Sequence, residues 1–147
     1  MYKVPFVLQL HMSKGRAGKH MDLRIKYQEA NRLASWAIPN AILPEEKKKV
    51  LAIRTPDHAI KWLRFEGYIS EKYGRGTVTI VDSGYVNVIA WSSKMITFTA
   101  ENEVLNGKYT LIKYKKLGKS DSWLFIKSSD KEKKSVAESW MIMRGSK

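Results

Sequence analysis

Apolar and polar residues alternate in short runs along most of the chain, a period of two that suits strands rather than helices. Runs rich in β-branched and aromatic residues fall at Phe6–His11, His20–Tyr27, Arg32–Ile38, Val50–Arg54, Gly76–Val81, Tyr85–Ala90, Met95–Ala100, Lys108–Tyr114 and Ser122–Lys127, with turn residues between them. Many short strands at this spacing indicate an antiparallel barrel or sandwich, and a compact, mainly β antiparallel barrel with short flanking helices is expected. Helix is predicted in three places: a turn after Pro44, another over Asp57–Trp62, and the basic tail 131–147, where Val136, Trp140 and Met143 would share one face. No repeat or long linker divides the 147 residues, so a single domain is expected over 1–147.

The first two strands carry candidate chemistry. Alternation sets Phe6, Leu8 and Leu10 against Val7, Gln9 and His11. In the second strand Met21, Leu23, Ile25 and Tyr27 form an apolar face, and His20, Asp22, Arg24 and Lys26 a polar one. A hairpin through Ser13–Lys19, with Gly15 and Gly18 for unusual dihedrals, would put His11 and His20 at the two ends of one loop. Two imidazoles and a carboxylate are a three-ligand set that leaves positions open for substrate. Arg24, two residues past Asp22 on the same face, has the fork to hold a phosphate. The competing reading is a solvated strand face with two incidental histidines. His58, in Thr55-Pro56-Asp57-His58, is either a turn histidine bonded to backbone or, beside an anion site, a phosphate contact or general acid.

Composition narrows the field. Lys and Arg number 27 against 14 Asp and Glu, a formal charge of +13, which favours polyanionic partners, nucleic acid before acidic membrane. With 44% hydrophobic residues, five Trp, seven Tyr and four Phe, the chain has the material for a packed core. The absence of cysteine excludes disulfides, thiolate metal sites and cysteine nucleophiles. No apolar run approaches the ~18 residues of a membrane span, and the N-terminus lacks a secretory layout, so a soluble cytoplasmic protein is expected. Gly15-Arg16-Ala17-Gly18-Lys19 and Gly118-Lys119-Ser120 are fragments of a phosphate-binding loop without its required spacing. No serine-hydrolase elbow is present. Trp36, Trp62, Trp91 and Trp123 are expected in or near the core; Lys47–Lys49 and Lys131–Lys134 are read as solvated faces.

Taken together, Phe6-Val7-Leu8-Gln9-Leu10-His11 and His20-Met21-Asp22-Leu23-Arg24 resemble the 3′-phosphoesterase domain of DNA ligase D, a prokaryotic end-joining enzyme. The resemblance continues in order through Ser35-Trp36-Ala37-Ile38-Pro39, Asp57-His58, Phe65-Glu66-Gly67-Tyr68-Ile69 and Tyr73-Gly74-Arg75-Gly76-Thr77-Val78. Asn106–Leu111 and Trp123–Lys127 extend it, so that it covers about 6–130.

This resemblance implies a β-barrel with a metal-dependent site on its surface that removes a 3′-terminal ribonucleoside and then the 3′-phosphate from DNA or RNA–DNA ends. It implies that His11, His20 and Asp22 hold a divalent metal, manganese before zinc or cobalt. Arg24 and His58 would contact the scissile phosphate, with Gln9 supporting the site. Lys14, Arg16 and Lys19, in a loop longer and more basic than usual for the family, are candidate nucleic-acid contacts. Three other departures are Trp62 where the family commonly has Tyr, Asn40 for a usual Lys, and only five residues before Phe6, where the family carries an arm. The expected partners are DNA ends, with ligase and primase/polymerase as separate chains working at the nucleoid of a prokaryotic cytoplasm. The alternative function is a basic β-barrel that binds nucleic acid without catalysis.

Overall fold

Among the described residues nine strands join edge to edge in antiparallel pairs, and the circuit closes on itself. The computed structural model describes residues 1–15, 18–45, 48–70, 75–114 and 121–128. Its strands are β1 (Tyr2–Ser13), β2 (Lys19–Lys26), β3 (Arg32–Pro39), β4 (Lys49–Ala59), β5 (Gly67–Ile69), β6 (Gly76–Trp91), β7 (Met95–Glu101), β8 (Asn106–Lys113) and β9 (Ser122–Lys127). Hydrogen bonding runs β1-β2-β3-β4-β9-β8-β7-β6, and β6 returns to β1, which makes an eight-stranded barrel. The short β5 pairs with the beginning of β6 outside that circuit. Closure removes the free edges that an open sheet of these basic strands would present.

The inward positions are those the alternation marks. Phe6, Leu8, Leu23, Ile25, Trp36, Ile38, Val86, Val88, Phe98, Tyr109 and Phe125 interdigitate in one core. Phe98, Tyr109 and Phe125 pack ring on ring, with centroids 5.4 to 6.5 Å apart. Each large side chain buried this way contributes about 1.5–3 kcal/mol. Leu10 departs from the expected apolar face and is only half-buried, whereas Val7, on the outer face, has no exposed surface.

The expected break between Gly76–Val81 and Tyr85–Ala90 is absent, because β6 is one strand of 16 residues. Asp82-Ser83-Gly84 has turn composition, yet β1 pairs with β6 along its length, from Tyr2 opposite Val88 to Ser13 opposite Gly76. A bulge between Leu8 and Gln9 absorbs the register change. Gly76 lies at φ +150°, and a Cβ there would come within 2.0 Å of the Met12 carbonyl oxygen, so this close crossing of β1 and β6 needs glycine. The Asp82 carboxylate is spent on backbone, accepting from the N–H groups of Ser83, Val104 and Leu105.

Helix is scarcer than expected. Asp57 and His58 belong to β4, and the only helix among the described residues is a 3-10 turn at Ile60–Arg64. Pro44 and Glu45 are not helical, and the Lys48 N–H donates to the Glu45 carbonyl. The tail expected to be helical, 131–147, lies outside the described residues. Asn40 has φ +58°, a left-handed conformation that asparagine tolerates better than the lysine usual in the resembled family. No helix among the described residues is long and apolar enough to cross a membrane.

Candidate metal centre

The long β1 and the start of β2 place the candidate residues on the outer wall of the barrel. His11 lies directly opposite His20, and Gln9 opposite Asp22, so one strand pair presents all four on one face. Arg24 follows on β2, opposite Ser35 of β3. This face is not solvated: Gln9, His11, His20, Asp22 and Arg24 are all buried. The solvated-face reading therefore does not hold, since five polar groups are withdrawn from water only where they satisfy one another.

Asp22 is the hub. Its Oδ2 lies 3.6 Å from His11 Nδ1, 3.3 Å from His20 Nε2 and 3.5 Å from Arg24 Nη2. One ligand atom from each of His11, His20 and Asp22 falls within 4.8 Å of the others. Donors ~2.1 Å from a shared tetrahedral ion lie about 3.4 Å apart, so the donor set fits a divalent cation with little movement. The imidazole rings are 4.6 Å apart, and the carbonyl of Gly18 sits 3.3 Å from His20 Nδ1. A backbone partner on Nδ1 steers the tautomer that leaves Nε2 available as a ligand.

Burial by itself would raise the Asp22 pKa. Hydrogen bonding from His11 and His20 and the charge of Arg24 outweigh it and hold the carboxyl well below the usual range. For His20 burial lowers the pKa, but Asp22 and the Gly18 carbonyl raise it beyond that, to a net upward shift. A cation held by these groups would displace protons from them, since metal ligands must be unprotonated to bind.

Arg24 is held from three sides. Its Nε donates to Gln9 Oε1 at 2.9 Å, its Nη1 donates to Ser35 Oγ at 2.5 Å, and its Nη2 faces Asp22. Gln9 in turn donates from Nε2 to the carbonyls of Trp62 and Phe65, at 2.8 and 3.0 Å. Gln9 thus straps the 3-10 turn over β1, and Glu66 secures the same segment by accepting from the Ile80 N–H. The Trp62 ring has the Arg24 guanidinium 5.3 Å from its centroid and the His58 ring edge-on at 5.7 Å. Trp62 is therefore a bridge beside the site, not a core residue.

His58 is on β4, opposite Leu33, with Nδ1 2.8 Å from the Pro56 carbonyl. Burial and then the charge of Arg24 lower its pKa. Lys14 and Lys19 are exposed at the mouth of the hairpin, and Arg16 lies outside the described residues. Alternation alone missed Ser35 and the Trp62 bridge. Their signals were a single hydroxyl in the apolar run Leu33–Ile38 and an aromatic four residues past His58.

Replacing Gln9 with alanine removes three hydrogen bonds at once. At about 1 kcal/mol each, a loss of roughly 2–3 kcal/mol is expected, read as a lower urea midpoint at unchanged m-value.

The molecule is thus a closed eight-stranded β-barrel whose outer wall carries a buried His-His-Asp group that could hold a metal ion, with an arginine against it. The family of DNA ligase D 3′-phosphoesterase domains matches residues 9–113, and the chain belongs to that family. Similar proteins include the multifunctional non-homologous end joining protein LigD of Pseudomonas aeruginosa, 30% identical over 128 residues. The proteins of that name from Mycobacterium bovis and Mycolicibacterium smegmatis are 30% and 31% identical over 138 and 139 residues. These alignments cover 80%, 90% and 86% of this chain but only 14%, 17% and 17% of the relatives.

Proposed function

We propose that this protein is a divalent-metal-dependent phosphoesterase that processes 3′ ends of DNA, releasing 3′-phosphate to leave a 3′-hydroxyl for repair by end joining. The buried His11–His20–Asp22 group with Arg24 against it, in a chain of this family, carries the reading. His11, His20 and Asp22 hold the cation, manganese first, with zinc or cobalt suited to the same nitrogen and oxygen donors. When bound, the ion neutralises charge on a phosphate oxygen and acidifies water.

The remaining work belongs to the side chains. Arg24, pre-aimed by Gln9 and Ser35, binds the phosphate and holds it against developing charge. Water adds its oxygen to phosphorus as the P–O3′ bond breaks, and the departing O3′ takes a proton to become the hydroxyl. His58 is the candidate donor of that proton. Burial and Arg24 disfavour its protonated form in the free protein, and the negative charge of an arriving phosphate favours it. Removal of a terminal ribonucleoside is the secondary activity, because Trp62 brings no hydroxyl to the place where the family commonly has Tyr. The exposed Lys14 and Lys19, with Arg16 between them in sequence, guide the strand by charge. A 3′-hydroxyl is what ligases and polymerases consume, so chains with those activities are the expected partners, in the cytoplasm of a prokaryote.

A 3′-phosphorylated oligonucleotide incubated with the protein and manganese is expected to release inorganic phosphate, and excess chelator to stop it. DNA binding that is equal with and without chelator, and no phosphate release with any divalent ion, would establish the non-catalytic nucleic-acid-binding barrel instead.

A further inference from the structure

Tyr27, just beyond the end of β2, and Trp91, the last residue of β6, meet at the barrel end remote from the His11–His20 loop. Their ring centroids are 5.0 Å apart and tilted by 36°, and both side chains are half-buried, not part of the sealed core. A cavity of about 530 Å³ on one side is lined by both rings with Trp36, Arg54, Ser92 and Trp123. A second of about 420 Å³ is lined by both rings with Tyr2, Gln28 and Glu29. Both rings of the aromatic pair thus line two clefts, a form that accepts a flat ring.

Arg32, with a side chain 60% exposed, sits over the Tyr27 ring at 5.1 Å. Asp57 is occupied by Arg32, Arg54 and the Tyr27 hydroxyl, and Asp121 is paired with Lys113. Glu29 is the one carboxylate lining either cleft. Arg32 and Arg54 are thus matched in charge by Asp57 and Glu29, and it is the net charge of +13 on the whole chain that favours a base carried on a phosphate backbone.

We propose that Tyr27 and Trp91 form a stacking site for one unpaired nucleobase of the DNA strand whose 3′ end is processed at the His-His-Asp site, an inference that rests on the DNA-directed reading above. Tyr27 is three residues beyond Arg24, roughly 10 Å along the strand at ~3.3 Å per residue. Residues three apart on a strand point to opposite faces, so a DNA strand passes around the barrel end to reach both, and the captured base is several nucleotides from the phosphate at Arg24. Asp57, held by Tyr27 and Arg54, immediately precedes His58, which links the stacking site to the catalytic face through one stretch of β4.

The test uses single-stranded oligonucleotides ending in a 3′-hydroxyl, which the protein binds without cleaving, each with one abasic sugar within the first six nucleotides from that end. Wild-type affinity, followed by fluorescence anisotropy, is expected to fall about 5- to 150-fold at one abasic position and little at the others. Trp91→Ala is expected to bind the intact strand as weakly as wild type binds the abasic one, and to lose sensitivity to that position; Trp91→Phe retains most affinity. A flat abasic profile on the wild-type protein overturns the site without any variant. So does an abasic effect that persists undiminished in folded Trp91→Ala. Phosphate release from a 3′-phosphorylated strand separates the two readings. Release with a flat abasic profile removes only the stacking site, while a position-specific abasic effect without release removes only the phosphoesterase activity.

Discussion

Alanine at His11, His20 or Asp22 is expected to lower 3′-phosphate release by about 10³-fold or more while leaving DNA affinity within a few-fold of wild type. Each substitution removes one of only three donors, and the charge stabilisation a bound cation supplies is several kcal/mol, at ~1.36 kcal/mol per decade of rate. Affinity persists because it comes from the spread of basic residues, including the exposed Lys14 and Lys19, and not from these buried groups. Release of phosphate from a 3′-phosphorylated strand, with anisotropy on the same strand, measures both quantities. Near-wild-type turnover by Asp22→Ala at ordinary metal concentration would remove the cation site from the mechanism. The two histidine variants also separate ligand loss from misfolding, since each leaves the Asp22–Arg24 pair in place.

Arg24→Ala is expected to cost both activity and stability. The side chain is 5% exposed and faces Asp22, Gln9 and Ser35, so its removal leaves three buried polar groups without their partner. Breaking a buried pair in this way costs about 3–5 kcal/mol, which for a chain this size is roughly 10 °C or more in Tm. In kinetics, Arg24→Ala should raise KM and lower kcat together, because a permanent charge holds the phosphate before and during reaction. Arg24→Lys keeps the charge without the fork, so it should recover part of KM but not the bonds to Gln9 and Ser35.

The stability difference also depends on pH. Asp22 has its pKa depressed below the ordinary 3.8, so its contribution is present above that value and is lost as pH falls through the native one. The gap in urea midpoint between wild type and Arg24→Ala should therefore be widest near neutrality and narrow as the pH falls through the depressed native pKa of Asp22. A gap that stays constant through that range would mean that the charge of Asp22 adds nothing to the Arg24 contact.

Nearly every strand of the barrel was legible as a short alternating run, and Ser122–Lys127 agrees with β9 at both ends. Period-two alternation is a local property, written in each segment by the need to turn one face to the core. The same alternation put His20, Asp22 and Arg24 on one face and paired His11 with His20 across the hairpin. What misled was composition read without partners. Asp82-Ser83-Gly84 resembles a turn, but twelve residues of β1 hold β6 straight past it, and the Asp82 carboxylate accepts from three backbone N–H groups. Asp57 and His58 similarly resemble a helix start, yet β3 claims them as strand through the Leu33–His58 register.

The sequence alone determined a mainly β chain, the shared face of the candidate ligands and the basic character of the surface, because alternation and net charge need no knowledge of distant partners. Only the tertiary structure decided that the polar face is buried. The 3-10 turn is strapped across β1 by Gln9, more than fifty residues away in sequence, and it brings Trp62 between Arg24 and His58. Barrel closure likewise brought the end of β6 beside the end of β2, so that Trp91 meets Tyr27. Contacts of that separation depend on strand order and register, which arise from the packing of the whole core and are not encoded in any one segment.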